Sequence, residues 1–256
     1  MDITHLVVSG CSFTYCQGLA NPKEQGWPAP VAKAFGVEVV NLAVPGTGND
    51  AIARRTYEYI YESLPTNSKP LVIVAWSQYW RRETWYKQLH GKPLDNYWIV
   101  SFPENKPQHL AEELLLENWN EVDFYRKTIL YKLMLDNLFK AYKIPHLTSN
   151  YAGSPCTNDD CEASLEKVRS MFPSMYQTAE KGDFTLTPFY TVTHDCPKLP
   201  CGHDGPEAQA QLANYIIGEI NDRFGGVNKV DGKIITLLEH RKKCENYILD
   251  KFPHWL

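Results

Sequence analysis

Ile3-Thr-His-Leu-Val-Val-Ser-Gly-Cys-Ser-Phe-Thr14 is a β-branched apolar run that stops at a glycine and hands over to small polar residues. Leu6, Val7 and Val8 are consecutive rather than alternating with polar residues, the pattern of a strand covered on both faces in a parallel sheet. Ile3 to Ser9 is therefore expected to be the first strand, and Gly10 to turn the chain. Ser12 is left at the carboxyl edge of that strand, where open α/β sheets bind their ligands. Taken alone, the segment fits a strand terminator and a helix N-cap equally well.

The neighbouring sequence repeats the pattern. Trp27 to Phe35 reads as a short helix that starts near Pro28 and ends at Gly36, after a polar loop over 15–26. Val37 to Leu42 reads as a second strand, followed by the glycine-bearing turn Ala43-Val-Pro-Gly-Thr-Gly-Asn-Asp50 and a helix to about Leu64. Leu71 to Trp76 is the third strand and Ile144 to Asn150 the fourth, with a long amphipathic helix from Asn118 to Tyr142 between them. Strands alternating with helices imply parallel strands joined by crossovers. Residues 80–110 read as an insertion over the carboxyl edge, and 153–202 as one short helix near Asp160 to Met171 with loops around Pro173, Pro188, Pro197 and Pro200. Pro206 to Phe224 closes the sheet domain as its last helix.

At 256 residues, with no linker between two cores, the chain is expected to form one large α/β domain over 1–225 and a helical extension over 226–256. A net charge of −4 without a long Lys/Arg run gives no electrostatic footprint for nucleic acid or an anionic membrane. No apolar stretch approaches the roughly 20 residues that span a bilayer, and Asp2 and His5 stand where a signal peptide would be basic. A cytoplasmic location is the resulting expectation. The seven cysteines are then expected to be reduced. Cys156, Cys161, Cys196 and Cys201 form two equally spaced pairs that four-thiolate zinc binding would tolerate only at its permissive limit, so loop thiols are the preferred reading and no cofactor is expected.

Chemistry-bearing residues fall at corresponding places in this pattern. Ser12 follows strand one, Gly46 strand two and Ser77 strand three, while His203 precedes the last helix in Cys-Gly-His-Asp-Gly-Pro-Glu-Ala. A hydroxyl, an imidazole to take its proton and donors for a developing oxyanion are the parts of acyl transfer. Neither glycine turn has the spacing of a Rossmann or P-loop phosphate cradle.

Together these motifs resemble those of the SGNH or GDSL-type hydrolases, an esterase and lipase superfamily built as a flavodoxin-like three-layer α/β/α sandwich. Gly10-Cys11-Ser12 matches the first block, and the fuller Gly-Cys-Ser-Phe-Thr form is similar to that of phage-encoded members. Gly46 in Asn41-Leu-Ala-Val-Pro-Gly-Thr-Gly-Asn matches the glycine whose backbone donates to the oxyanion, and His203 matches the histidine before the terminal helix. The resemblance covers about residues 3–224 and implies Ser12 as nucleophile, His203 as base, and Ser12, Gly46 and Ser77 around the oxyanion.

The chain departs from the family twice. The third block's Gly-x-Asn-Asp is Ala75-Trp76-Ser77-Gln78, so the hydroxyl of Ser77 stands where an Asn amide would donate. Pro200 occupies the place of the Asp three residues before the histidine, leaving backbone carbonyls, Asp195 or the adjacent and poorly placed Asp204 to orient the ring. Two readings follow. One is a serine esterase acting on a small-molecule or carbohydrate ester, such as an O-acetyl group, with a Ser-His dyad. The other is a binding or structural module, a virion component if the chain is phage-encoded. A further amphipathic helix expected over 232–251 would dock on the sheet domain, on a second copy or on a virion partner.

Overall fold

In the computed structural model the described residues are 1–66, 68–79, 81–84, 88–89, 92–93, 98–100, 121–151, 159–182 and 184–230. The expected helix over 232–251 lies outside them, as does much of the insertion after the third strand.

The sheet is built on β2 (His5–Ser9), which pairs in parallel with β3 (Glu38–Asn41) on one side and β4 (Pro70–Trp76) on the other; β9 (His146–Asn150) pairs with β4. The order β3-β2-β4-β9 places the first strand between the second and third, so the direction of winding reverses between β2 and β4. That reversal opens a crevice at the carboxyl ends of these two strands, the switch point at which doubly wound sheets hold ligands. Beyond β9 the chain adds a bridge, Thr148 to Thr185, with Leu186 N–H donating to the Thr148 carbonyl at 2.8 Å. This is a rudimentary fifth strand.

Alternate residues of the central strands face opposite layers, as strand geometry requires. Leu6, Val8, Leu71, Ile73 and Ala75 pack with Trp27, Val31, Leu212, Ile216 and Ile220 from the helices Pro28–Ala34 and Pro206–Phe224. Val7, Val72, Val74 and Trp76 pack with Ile52, Tyr59, Ile60, Leu135 and Phe139 from the helices Asn49–Ser63 and Glu121–Ala141. The result is the three-layer α/β/α sandwich expected of the chain.

Several local expectations are corrected. The first strand breaks at Thr4, because Asp2–Ile3 (β1) pairs instead with Asn228–Lys229 (β10). Val230 N–H donates to the Ile3 carbonyl at 2.9 Å, so contacts of the sheet domain run past Gly225. Helices at Pro22–Gln25, Pro173–Lys181 and Phe189–Thr193 replace expected loops. Pro22 and Pro173 sit in the first turn of their helices and Pro188 caps the third, positions where a missing N–H costs nothing. These prolines start helices within segments whose composition reads as loop. In the insertion, β5 (Arg82–Thr84) and β8 (Trp98–Val100) pair antiparallel, as do β6 (Gln88–Leu89) and β7 (Lys92–Pro93).

Candidate active site

Ser12 opens the short helix Ser12–Tyr15 directly after β2, with Cys11 as an extended N-cap. The turn is tight: a Cβ at Gly10 would lie 2.2 Å from Thr14 Oγ1 and 3.0 Å from the Ala75 carbonyl of β4. Only glycine lets the first loop pass this close to the neighbouring strand. Ser12 is nearly buried, at 5% exposure, so only a small part of it meets solvent.

The second loop is tied to the first by Val44 N–H donating to the Gly10 carbonyl at 3.2 Å. Gly46 has φ 75°, a left-handed conformation that side chains resist. Among the described residues the backbone N–H groups of Ser12 and Gly46 donate to no backbone carbonyl. Asn49, buried at the start of the next helix, then joins the second loop to the third. Its Oδ1 accepts the Ser77 N–H at 2.8 Å and its Nδ2 donates to the Ser77 carbonyl at 3.1 Å, the pairing a neighbouring strand would make. Ser77 therefore has its backbone fixed and its hydroxyl left for other work. Arg81 Nη1 donates to that hydroxyl oxygen at 3.4 Å.

His203 sits at the tip of a tight hairpin closed by Leu199 N–H donating to the His203 carbonyl at 2.8 Å, with Gly202 in the left-handed region at φ 80°. Its ring lies against Phe13, the residue after Ser12, with centroids 4.7 Å apart. Phe13 in turn stacks on Tyr151 at 4.5 Å, and Tyr151 N–H donates to the Trp76 carbonyl at 2.8 Å. The loops after β2, β3, β4 and β9 and the histidine hairpin thus form one connected edge.

Neither expected orienting carboxylate holds His203. Asp204 is buried and turned away, accepting from the Tyr151 hydroxyl, from Lys198 Nζ, and from Thr193 Oγ1 at 3.3 Å. Asp195 is exposed and lies 3.1 Å from His194 Nε2. His203 Nδ1, the atom that a triad carboxylate would hold, is buried and meets no side-chain partner among the described residues. Burial lowers the pKa of the ring and the Arg81 charge adds to the lowering, while the Cys201 backbone and Asp204 oppose it. The imidazole is accordingly neutral at neutral pH and able to accept a proton.

Cys16, close to the site helix, is held as a thiol. Burial pushes the Cys16 thiol up to about 12, and its Sγ is 3.3 Å from Gln209 Oε1. Of the four cysteines considered for zinc, Cys156 and the side chain of Cys161 lie outside the described residues. Cys196 donates to Gln211 Oε1 at 2.9 Å and Cys201 is exposed. No group of His, Cys, Asp and Glu able to hold a metal is present among the described residues. No helix among them is long and apolar enough to cross a membrane. A groove on the opposite edge, lined by Lys69, Ile144, Pro145 and Phe184, contains none of these site residues.

Asn49 and Arg81 were not singled out in the sequence. Asn49 stood inside the glycine turn without an independent signal, and Arg81 in a stretch whose aromatics suggested only an insertion.

The fold is a flavodoxin-like sandwich with the Ser12 hydroxyl and the His203 imidazole on the edge where its winding reverses. No family model and no curated relative matches the chain. Solved structures do. The psychrotrophic esterase EstA from Pseudoalteromonas sp. is 11% identical, with 87% of this chain and 100% of that one covered at a TM-score of 0.53. TesA is 14% identical, with 86% and 99% covered at 0.51. A lipolytic protein of the G-D-S-L family from Desulfitobacterium hafniense is 15% identical, with 84% and 98% covered at 0.47. The chain thus shares the three-layer fold of the EstA and TesA structures.

Proposed function

We propose that the protein is a serine ester hydrolase in which Ser12 is the nucleophile and His203 the general base. The observation that carries this reading is the seating of a neutral imidazole on Phe13, one residue from Ser12, at the switch point of the sheet. In the acylation step the Ser12 oxygen attacks the ester carbonyl while His203 takes its proton. The carbonyl oxygen becomes an oxyanion, with the Ser12 and Gly46 N–H groups and the Ser77 hydroxyl as its donors. Collapse of the tetrahedral intermediate expels the alcohol, which receives the proton from His203. Water then repeats the sequence on the acyl-enzyme and releases the acid.

With no carboxylate on Nδ1 among the described residues, we read the pair as a dyad. Loss of a triad acid costs about ten-thousandfold in turnover, so slow hydrolysis is expected. The test is hydrolysis of p-nitrophenyl acetate together with labelling by a fluorophosphonate, which needs an activated serine. Ser12→Ala is expected to abolish both, and His203→Ala to remove most of the rate. Activity that survives Ser12→Ala moves the nucleophile elsewhere, with Cys11 beside it the first residue to try. Absence of both turnover and labelling at every pH replaces this reading with that of a binding module.

A further inference from the structure

We propose that the ester taken by this site carries an anionic group and that Arg81 holds it, an inference that rests on the hydrolase reading above. The guanidinium stands in the loop after β4, its backbone fixed by Arg81 N–H donating to the Gln78 carbonyl at 3.2 Å. Its one side-chain hydrogen bond among the described residues is the 3.4 Å contact with Ser77 Oγ, which is long for an N–H···O bond. A guanidinium has five N–H donors in a fork that fits a carboxylate or phosphate edge-on, so most of this one is unused. Other arginines of the chain are occupied differently. Arg54, Arg126, Arg169 and Arg223 each pair with a carboxylate about one turn away on their own helix. Arg81 has no carboxylate partner among the described residues.

The neighbouring loops point the same way. Arg55 Nη2 donates to Thr47 Oγ1 at 3.0 Å, beside Gly46, and the buried Lys132 donates to Asn150 Oδ1 at 2.8 Å at the end of β9. Cationic side chains therefore stand near the ends of β3, β4 and β9. Asp204, the carboxylate next to His203, pairs with Lys198. A cationic crevice on a chain of net charge −4 concentrates anions where the chemistry occurs.

The placement also bears on the reaction. As Ser12 gives up its proton, His203 becomes an imidazolium within the field of Arg81, which disfavours that charge. An anion bound on Arg81 offsets this repulsion and stabilises the transition state. Anionic esters thereby gain in kcat as well as in KM.

The test compares phenyl acetate, 4-carboxyphenyl acetate and 4-(trimethylammonio)phenyl acetate on the wild type, Arg81→Gln and Arg81→Lys, at low and high salt. The expected result is that the kcat/KM ratio of the carboxylated to the cationic ester falls by about tenfold or more in Arg81→Gln, the scale of a charge-assisted pair. Arg81→Lys retains part of the ratio, and salt lowers it in the wild type only. A ratio identical in wild type and Arg81→Gln, or an equal loss on all three esters, overturns the inference and leaves Arg81 acting on Ser77 and His203. If no ester is turned over, the hydrolase reading fails, and Arg81 is judged by calorimetric binding to Ser12→Ala and Ser12→Ala/Arg81→Gln. Selective binding of the carboxylated ester that is lost with Arg81 supports the inference; binding of none, or of all alike, overturns it.

Discussion

Asp204 shows how adjacency in sequence misleads about chemistry. Next to His203 it is a candidate orienter of the ring but a poorly placed one, because successive side chains leave the backbone in different directions. Its carboxylate goes inward, to Tyr151, Thr193 and Lys198. It acts as the anchor of the histidine hairpin, because Tyr151 is also the residue on which Phe13 stacks. Asp204→Ala leaves the buried Tyr151 hydroxyl without its acceptor, and the expected loss is about 3 kcal/mol of unfolding free energy in urea. Asp204→Asn keeps an acceptor and should cost less than half of that. A catalytic loss in Asp204→Asn with stability unchanged would instead assign the carboxylate to the reaction. His203 titrates below its ordinary range, so the acid limb of kcat/KM is expected below about 6.5, and Arg81→Gln should move it upward.

The turn from β2 into the helix Ser12–Tyr15 is the element on which the site depends. It forms because Gly10 ends the buried strand without a side chain, so that the chain passes over β4 before the helix begins. A methyl group at Gly10 meets Thr14 Oγ1 at 2.2 Å and the Ala75 carbonyl at 3.0 Å, one a side-chain atom of the same turn and the other a strand backbone. Gly10→Ala is therefore expected to shift Ser12 and to lower kcat by about a hundredfold, as misplacements of about an ångström do. Thermal melting should fall as well. Pairing it with Thr14→Ala removes the Oγ1 that the new methyl group meets and should restore part of the stability, while kcat unchanged in Gly10→Ala would show that the turn tolerates displacement.

Across the sandwich, two buried histidines link stability to pH. His5 lies in the sheet with its ring nitrogens 2.6 Å from Thr4 Oγ1 and 2.7 Å from the Tyr59 hydroxyl, and burial lowers its pKa to about 4. Burial also lowers that of His146, against the opposing Ile144 backbone and Asp136. Both rings are neutral in the folded chain, and both bind a proton near 6.5 once unfolded. Their contribution is therefore fully present above pH 6.5 and is lost as pH falls below it, for His5 toward about 4, by up to about 1.4 kcal/mol per pH unit for each ring. Urea midpoints measured at pH 7.5, 6 and 5 should decline in that order. Midpoints that stay level would mean that these rings protonate without unfolding the chain.

The periodicity of the strands and helices, and glycines at two strand ends, already determined the layered α/β architecture and the edge on which Ser12, Gly46 and His203 fall. That information is local, since the burial of a strand on both faces and the need for a turn are written in neighbouring residues. Helix starts at Pro22 and Pro173 were hidden because proline reads alike as a first-turn residue and as a break. Only the tertiary structure decided the polar partners: Asn49 on the Ser77 backbone, Arg81 on its hydroxyl, and Asp204 on Tyr151 rather than His203. Each joins residues from separate loops, and a hydrogen bond between loops depends on where the packed sheet places their ends, which no spacing along the chain records.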